Sequence, residues 1–159
     1  MILVGITGHQ DIPADAEPYL RREIENALSD YDEPVAALTS LAVGADQMFA
    51  QIALARGIPL RVVTPSHGYD GTFPQPQDLA RYRQLKAQAV ECVQLDHAQP
   101  SEEAFHAAGV YIADRVNLLL AVWDGEPARG FGGTADIVRY ARGRGTPVLV
   151  IWKEGSVRG

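Results

Sequence analysis

The residues with the clearest chemical potential lie between Asn117 and Asp136, which read NLLLAVWDGEPARGFGGTAD. Gly130, Gly132, Gly133 and Thr134 follow an apolar run and precede a segment with helical spacing. Strand, glycine-rich turn and helix N-terminus, in that order, present backbone N–H groups and the positive end of a helix dipole to an anion, usually phosphate. Glycine suits the turn because a Cβ would hold the ligand off the backbone. Arg129, just ahead of the glycines, carries a planar fork that matches a phosphate. Asp124 closes the apolar run, a common place for a ligand-contacting carboxylate. Asp136 falls in the first turn of the next helix, where an acid also simply offsets the dipole.

Three other polar clusters follow apolar runs. In Thr7-Gly8-His9-Gln10, Gly8 lets a phosphate or ribose approach closely, and His9 is the histidine best placed to touch a ligand. Ser40-Leu41-Ala42-Val43-Gly44-Ala45-Asp46 forms a second loop-to-helix junction. There Ser40 offers a hydroxyl, Ala42 and Gly44 bring backbone near the ligand, and Asp46 serves either the helix end or the ribose hydroxyls and base edge. Pro65 opens the third cluster, Pro65 to Tyr69. His67, His97 and His106 show no metal-ligand spacing, and one cysteine cannot complete a zinc site, so no metal is expected. The chain lacks G-x-G-x-x-G, a Walker lysine and G-x-S-x-G, so neither a dinucleotide cofactor nor a serine nucleophile is expected.

Strands are predicted at Met1–Ile6, Val35–Thr39, Leu60–Thr64, Cys92–Leu95, Leu118–Trp123 and Val148–Trp152. Between them lie segments with helical periodicity: Tyr19 to Leu28, Ala45 to Ala53, Leu79 to Ala89, Ser101 to Ala113 and Thr134 to Arg144. Ser101 is the predicted N-cap of a helix burying Phe105, Gly109, Ile112 and Ala113. Cys92 is expected to be buried in its strand. Tyr69 to Gln77, rich in Gly, Pro and Asp, reads as a loop over the sheet and a mobile flap, with Tyr69 and Phe73 closing over a ligand.

Strands that read as apolar runs, alternating with helices, predict an α/β fold: a doubly wound, mostly parallel, Rossmann-like sheet with helices on both faces, in a single domain. The domain is expected over 1–153, with a frayed tail at 154–159. In such sheets ligands bind outside the carboxyl ends of the strands, where strand order reverses. All four polar clusters fall at those ends.

The chain has 159 residues, 47% hydrophobic and 21% charged, which suits a soluble globular protein. Its net charge of −6 argues against a nucleic-acid partner, whose phosphates demand Lys and Arg clusters. The single cysteine, Cys92, excludes an intramolecular disulfide and fits a reducing cytoplasm. No apolar run approaches the length of a membrane span, and the N-terminus enters a strand without a basic signal region, so a cytoplasmic location is expected. Apolar surface near Trp152 is compatible with a homo-oligomer.

Thr7-Gly8-His9, Ser40 to Asp46, and Trp123 to Asp136 together resemble the SLOG superfamily of Rossmann-like nucleotide-binding domains. That superfamily includes the Lonely Guy (LOG) phosphoribohydrolases and DNA-processing protein A, and the similarity spans Ile6 to Val150. The resemblance implies a doubly wound sheet of roughly five to seven strands with a nucleotide or nucleotide-derived ligand at the strand ends. Gly132, Gly133 and Thr134 would hold its phosphate, and Gly8, Ser40, Gly44 and Asp46 would line the rest. The Lonely Guy enzymes carry P-G-G-x-G-T-x-x-E, whose glutamate acts in N-glycosidic cleavage. Aligned on Gly133-Thr134, this chain has Ile137 at the glutamate and Arg129 at the proline. Asp136 is one residue away, about a hundred degrees round the helix. The leading reading is therefore a nucleotide-binding protein of the sensor type. The alternative is a hydrolase cleaving the N-glycosidic bond of a nucleoside monophosphate, with Asp136 or Asp124 as acid/base. A third reading, single-stranded DNA binding as in DNA-processing protein A, ranks last because of the acidic charge and few basic clusters.

Overall fold

A computed structural model describes residues 1–127 and 133–157. The β-branched and leucine-rich runs form six strands: β1 (Ile2–Gly8), β2 (Val35–Thr39), β3 (Leu60–Thr64), β4 (Glu91–Gln94), β5 (Leu118–Val122) and β6 (Val148–Ile151). The periodic segments form α1 (Glu17–Ser29), α2 (Ala45–Ala55), α3 (Pro76–Ala87), α4 (Glu102–Arg115) and α5 (Thr134–Arg144), with a 3-10 turn at Tyr69–Thr72. Among the described residues no helix is long and apolar enough to cross a membrane.

Every strand pair is parallel, in the order β4-β3-β2-β1-β5-β6. The chain steps outward from β1 to β4 and then returns through α4 to lay β5 against the other side of β1. Strand order therefore reverses between β1 and β5, where Gly8 pairs with Val122.

Side chains alternate across the sheet. Val4, Ile6, Leu60, Val62, Leu120 and Val122 meet Leu20, Ile24, Phe49 and Ile52 of α1 and α2 in the larger core layer. Leu38, Val63 and Leu119 meet Ile112, Ala113, Ile137 and Ala141 of α4 and α5 in the smaller one. Covering both faces is what required the central strands to be apolar throughout. The helix ends follow their sequence signals. The Ser101 Oγ accepts from the Ala104 N–H at 3.0 Å, and Gly145 ends α5 at a φ of +85°.

Three expectations need correction. Cys92 is exposed, because β4 is an edge strand with few residues packed over it. Phe105 is also exposed, since the first turn of α4 overhangs the strand ends instead of the sheet. Tyr69 does not belong to a free flap. Its ring is buried, edge-on to Phe73 at 5.3 Å and Tyr82 at 5.5 Å. Ser156 is anchored, its hydroxyl donating to Asp15 Oδ2 at 2.8 Å and its carbonyl accepting from Trp152 Nε1 at 3.1 Å.

Candidate functional site

The carboxyl ends of β1, β2 and β3 and the N-terminal ends of α2, α4 and α5 surround a cavity of about 520 Å³. β1 delivers Gly8, His9 and Gln10 to its wall. Gly8 is also required for packing: a Cβ there would lie 2.5 Å from Ala45 Cβ and 2.9 Å from Val122 Cβ. It lets α2 and β5 close on β1.

His9, 7% exposed, lines the cavity, but its ring ties strand ends together. Nε2 accepts from the Asp124 amide at 3.1 Å, and the ring stands edge-on to Trp152 at 5.5 Å. Asp124 Oδ1 lies 3.2 Å from the same nitrogen. One nitrogen cannot accept from the amide and donate to the carboxylate at once. The amide hydrogen is fixed by the chain, so the Asp124 amide and the Asp124 carboxylate compete for this one ring nitrogen. Asp124 Oδ1 also accepts from the Glu126 amide at 3.0 Å, and Asp124 is not a lining residue.

The β2–α2 loop is the most constrained part of the site. Leu41, fully buried, adopts a φ of +59°, uncommon for a residue with a side chain. Its amide donates to Thr39 Oγ1 at 3.0 Å and its carbonyl accepts from Gln47 Nε2 at 3.2 Å. Gly44 follows at a φ of +89°, where a Cβ would strike the carbonyl oxygens of Gln10 and His9. Gly44 is therefore behind the cavity wall, shaping the loop.

That loop seats Asp46 in the cavity with 7% exposure, its Oδ2 accepting from the Ala42 amide at 3.3 Å. Burial pushes its carboxyl up to about 7, opposed by hydrogen bonds from the Ala42 amide, the Thr39 side chain and the Ser40 backbone. A buried acid with so perturbed a pKa in a cleft is a functional-site signal. Beside it, the Tyr69 hydroxyl donates to the Ser40 carbonyl at 2.9 Å. Burial, reinforced by the Asp46 charge, holds that phenol well above its usual range.

The cavity-lining acids are Asp11, Asp46 and Glu102, and no Lys or Arg lines it among the described residues. An anionic group would therefore rest on Gly133 and Thr134 at the N-terminus of α5, where the Asp136 and Ile137 amides already donate to the Gly133 carbonyl, at 3.1 and 3.2 Å, and the positive end of the helix dipole faces the cavity. Among the described residues no cluster of His, Cys, Asp and Glu is arranged to hold a metal.

Of the residues nominated from the sequence, Gly8, His9, Gln10, Ser40, Ala42, Asp46, Pro65, Gly133 and Thr134 line this one cavity. Arg129, Gly130 and Gly132 lie outside the described residues. Asp136, nominated as acid/base, does not line it; Asp136 Oδ1 lies 3.5 Å from Arg139 Nη1. Ile137 occupies the wall instead, 2% exposed. The position that holds a glutamate in Lonely Guy enzymes thus presents hydrocarbon, and neither nominated acid/base faces the cavity. Sequence reasoning missed Asp11, Glu102 and the lining role of Phe105. The helical period of Phe105, Ala108, Gly109 and Ile112 marks one face of α4, yet a period does not say that the face overhangs strand ends.

No protein-family model and no curated protein matches the chain. Solved structures do. DNA processing protein A from Streptococcus pneumoniae matches 99% of this chain with a TM-score of 0.69 and 17% identity. The chain spans 52% of that protein. DNA processing protein A from Helicobacter pylori, solved for its single-stranded DNA binding mode, matches 99% of this chain and 68% of its own, with a TM-score of 0.69 and 16% identity. TM1055, a structural-genomics target, matches 93% and 72%, with a TM-score of 0.58 and 14% identity. The chain shares the Rossmann-like α/β fold of these structures.

At these identities the likeness is one of fold. It nonetheless overturns the exclusion of nucleic acid drawn from net charge, because a protein whose fold matches 99% of this chain binds single-stranded DNA. Net charge is a sum over the surface, whereas a strand of nucleic acid is held by local groups, including backbone amides and aromatic faces.

Proposed function

We propose that the cavity binds a nucleotide or nucleotide-derived ligand, with its phosphate at Gly133-Thr134, as a sensor-type binding site and not a hydrolase. One observation carries this reading. The ends of three parallel strands and the start of α5 converge on a single cavity of about 520 Å³ at the point of strand reversal. That volume is in the range for small-molecule sites, roughly 300–1,000 Å³. Ile137 at the cavity wall and the absence of Asp124 and Asp136 from it favour binding over N-glycosidic cleavage.

The test is calorimetry and thermal shift with nucleoside monophosphates, with product analysis of each ligand. Saturable binding of a ligand recovered intact is expected. Gly133→Asp, whose carboxylate would occupy the α5 N-terminus, is expected to abolish binding without loss of fold. No binding at millimolar nucleotide would end the proposal, and release of free base would turn it into the hydrolase.

Single-stranded nucleic acid is a second reading, favoured by the likeness to the Helicobacter pylori protein. Retardation of an oligonucleotide that weakens steeply between 50 and 200 mM salt would support it. Salt-independent failure to bind would remove it.

A further inference from the structure

We infer that the cavity is bipolar: Phe73 and Phe105 receive a planar ring at the end bounded by Asp46 and Glu102, so the ligand class is a nucleotide with an uncharged heterocycle and its only anionic group at the opposite end. This rests on the nucleotide reading above and adds an orientation and a selectivity to it.

The strand order sets the polarity. Tyr69 follows β3 and Asp46 follows β2, whereas Gly133 and Thr134 follow β5. β3 and β5 are three strand spacings apart, roughly 14 Å at the usual separation between neighbours. The two ends of the cavity are therefore chemically distinct places.

Tyr69 organises the ring end. Its ring stands edge-on to Phe73 at 5.3 Å and to Phe105 at 6.2 Å, and its hydroxyl holds the Ser40 carbonyl at 2.9 Å. Tyr69, Phe73, Phe105, Ser40 and Asp46 all line the cavity. Phe73 is itself fixed by stacking on Tyr82 at 4.5 Å. Tyr69 and Tyr82 are buried, but Phe105 is 39% exposed at the cavity wall. An aromatic residue left partly in water beside fixed aromatic neighbours suits stacking against a base, an interaction indifferent to base identity.

The acids define what that ring can carry. Asp46 and Glu102 bound the ring end, the third lining acid, Asp11, follows β1 nearer the middle of the sheet, and no Lys or Arg among the described residues lines the cavity to offset them. At a pH above about 7, where Asp46 is ionised beside Glu102, a carboxylate on the heterocycle would meet like charge there, while a neutral ring with N–H donors would not.

Calorimetry on the full chain tests this with AMP, ribose 5-phosphate, UMP and orotidine 5′-monophosphate, against wild type, Phe105→Ala and Phe105→Leu. AMP is expected to bind at least about tenfold more tightly than ribose 5-phosphate, and both variants to lose most of that advantage. Their ribose 5-phosphate affinity should stay at the wild-type value. UMP is expected to bind at least about tenfold more tightly than orotidine 5′-monophosphate. Thermal melts establish that both variants are folded. Equal affinity for AMP and ribose 5-phosphate would overturn the inference and leave the phosphate site standing. Binding of none of the four would overturn both.

Discussion

The Tyr69 hydroxyl donates to the Ser40 carbonyl at 2.9 Å, joining the 3-10 turn after β3 to the end of β2. This bond converts a Gly- and Pro-rich segment into a wall of the cavity. Tyr69→Phe removes the donor while keeping the ring, and is expected to cost about 1–3 kcal/mol if the carbonyl stays buried. Tyr69→Ala also empties the aromatic cluster and should cost roughly 3–5 kcal/mol. Urea denaturation of the two variants checks the order. An unperturbed Tyr69→Phe would mean that ring packing alone holds the turn.

Asp46 makes stability depend on pH in a direction opposite to most carboxylates. Its folded-state pKa is raised from 3.8 to about 7. Between these values the unfolded chain has released the proton that the folded chain retains, so stability falls as pH rises from about 4 to about 7. The loss is on the order of 4 kcal/mol, complete above the folded pKa. Asp46→Asn keeps a neutral acceptor for the Ala42 amide and removes the titration. The difference between the two unfolding free energies should widen across this window, and parallel curves would refute the assignment.

His9→Ala is expected to destabilise by about 1–3 kcal/mol, because the Asp124 amide loses its acceptor in a largely buried setting. The same change removes the edge contact with Trp152. Tryptophan emission should therefore shift in the folded state, a response that simple loss of helix or strand would not give.

Gly44 and Gly57 both have positive φ, at +89° and +72°, but only Gly44 is crowded. Gly57→Ala meets open space and is expected to cost about 1–2 kcal/mol of backbone strain. Gly44→Ala adds collision with the carbonyls of His9 and Gln10 and should cost distinctly more. Thermal melts of the pair provide the comparison. Equal costs would imply that the β1–α1 loop can retreat freely.

The sequence was legible where a local pattern has one tertiary solution. Apolar runs such as Val35–Thr39 and Leu60–Thr64 became buried strands with the expected ends, and Ser101 capped α4 as its type and position predict. It was less legible where position in the sheet decides the outcome. Cys92 sits in a run resembling the others, yet its strand ended at an edge, and no periodicity within four residues encodes edge against centre. The site divides in the same way. The polar clusters after β1 and β2 line the cavity, while Glu102 and Phe105 belong to a helix whose overhang depends on where the crossover from β4 lands. Leu41 is the extreme case: nothing about a leucine announces a left-handed backbone, which is imposed by Thr39 and Gln47 on either side.

Gly109 has no side chain, and the space where its Cβ would stand is taken by the tip of Ile137. Ile137 is also part of the cavity wall. α4 and α5 are thus keyed like a tongue in a slot, with the tongue reaching through to the interior. A molecule pressing on that side chain presses on two helices at once. The seating of α5 on α4 and the shape of the cavity wall are thus set by the same side chain.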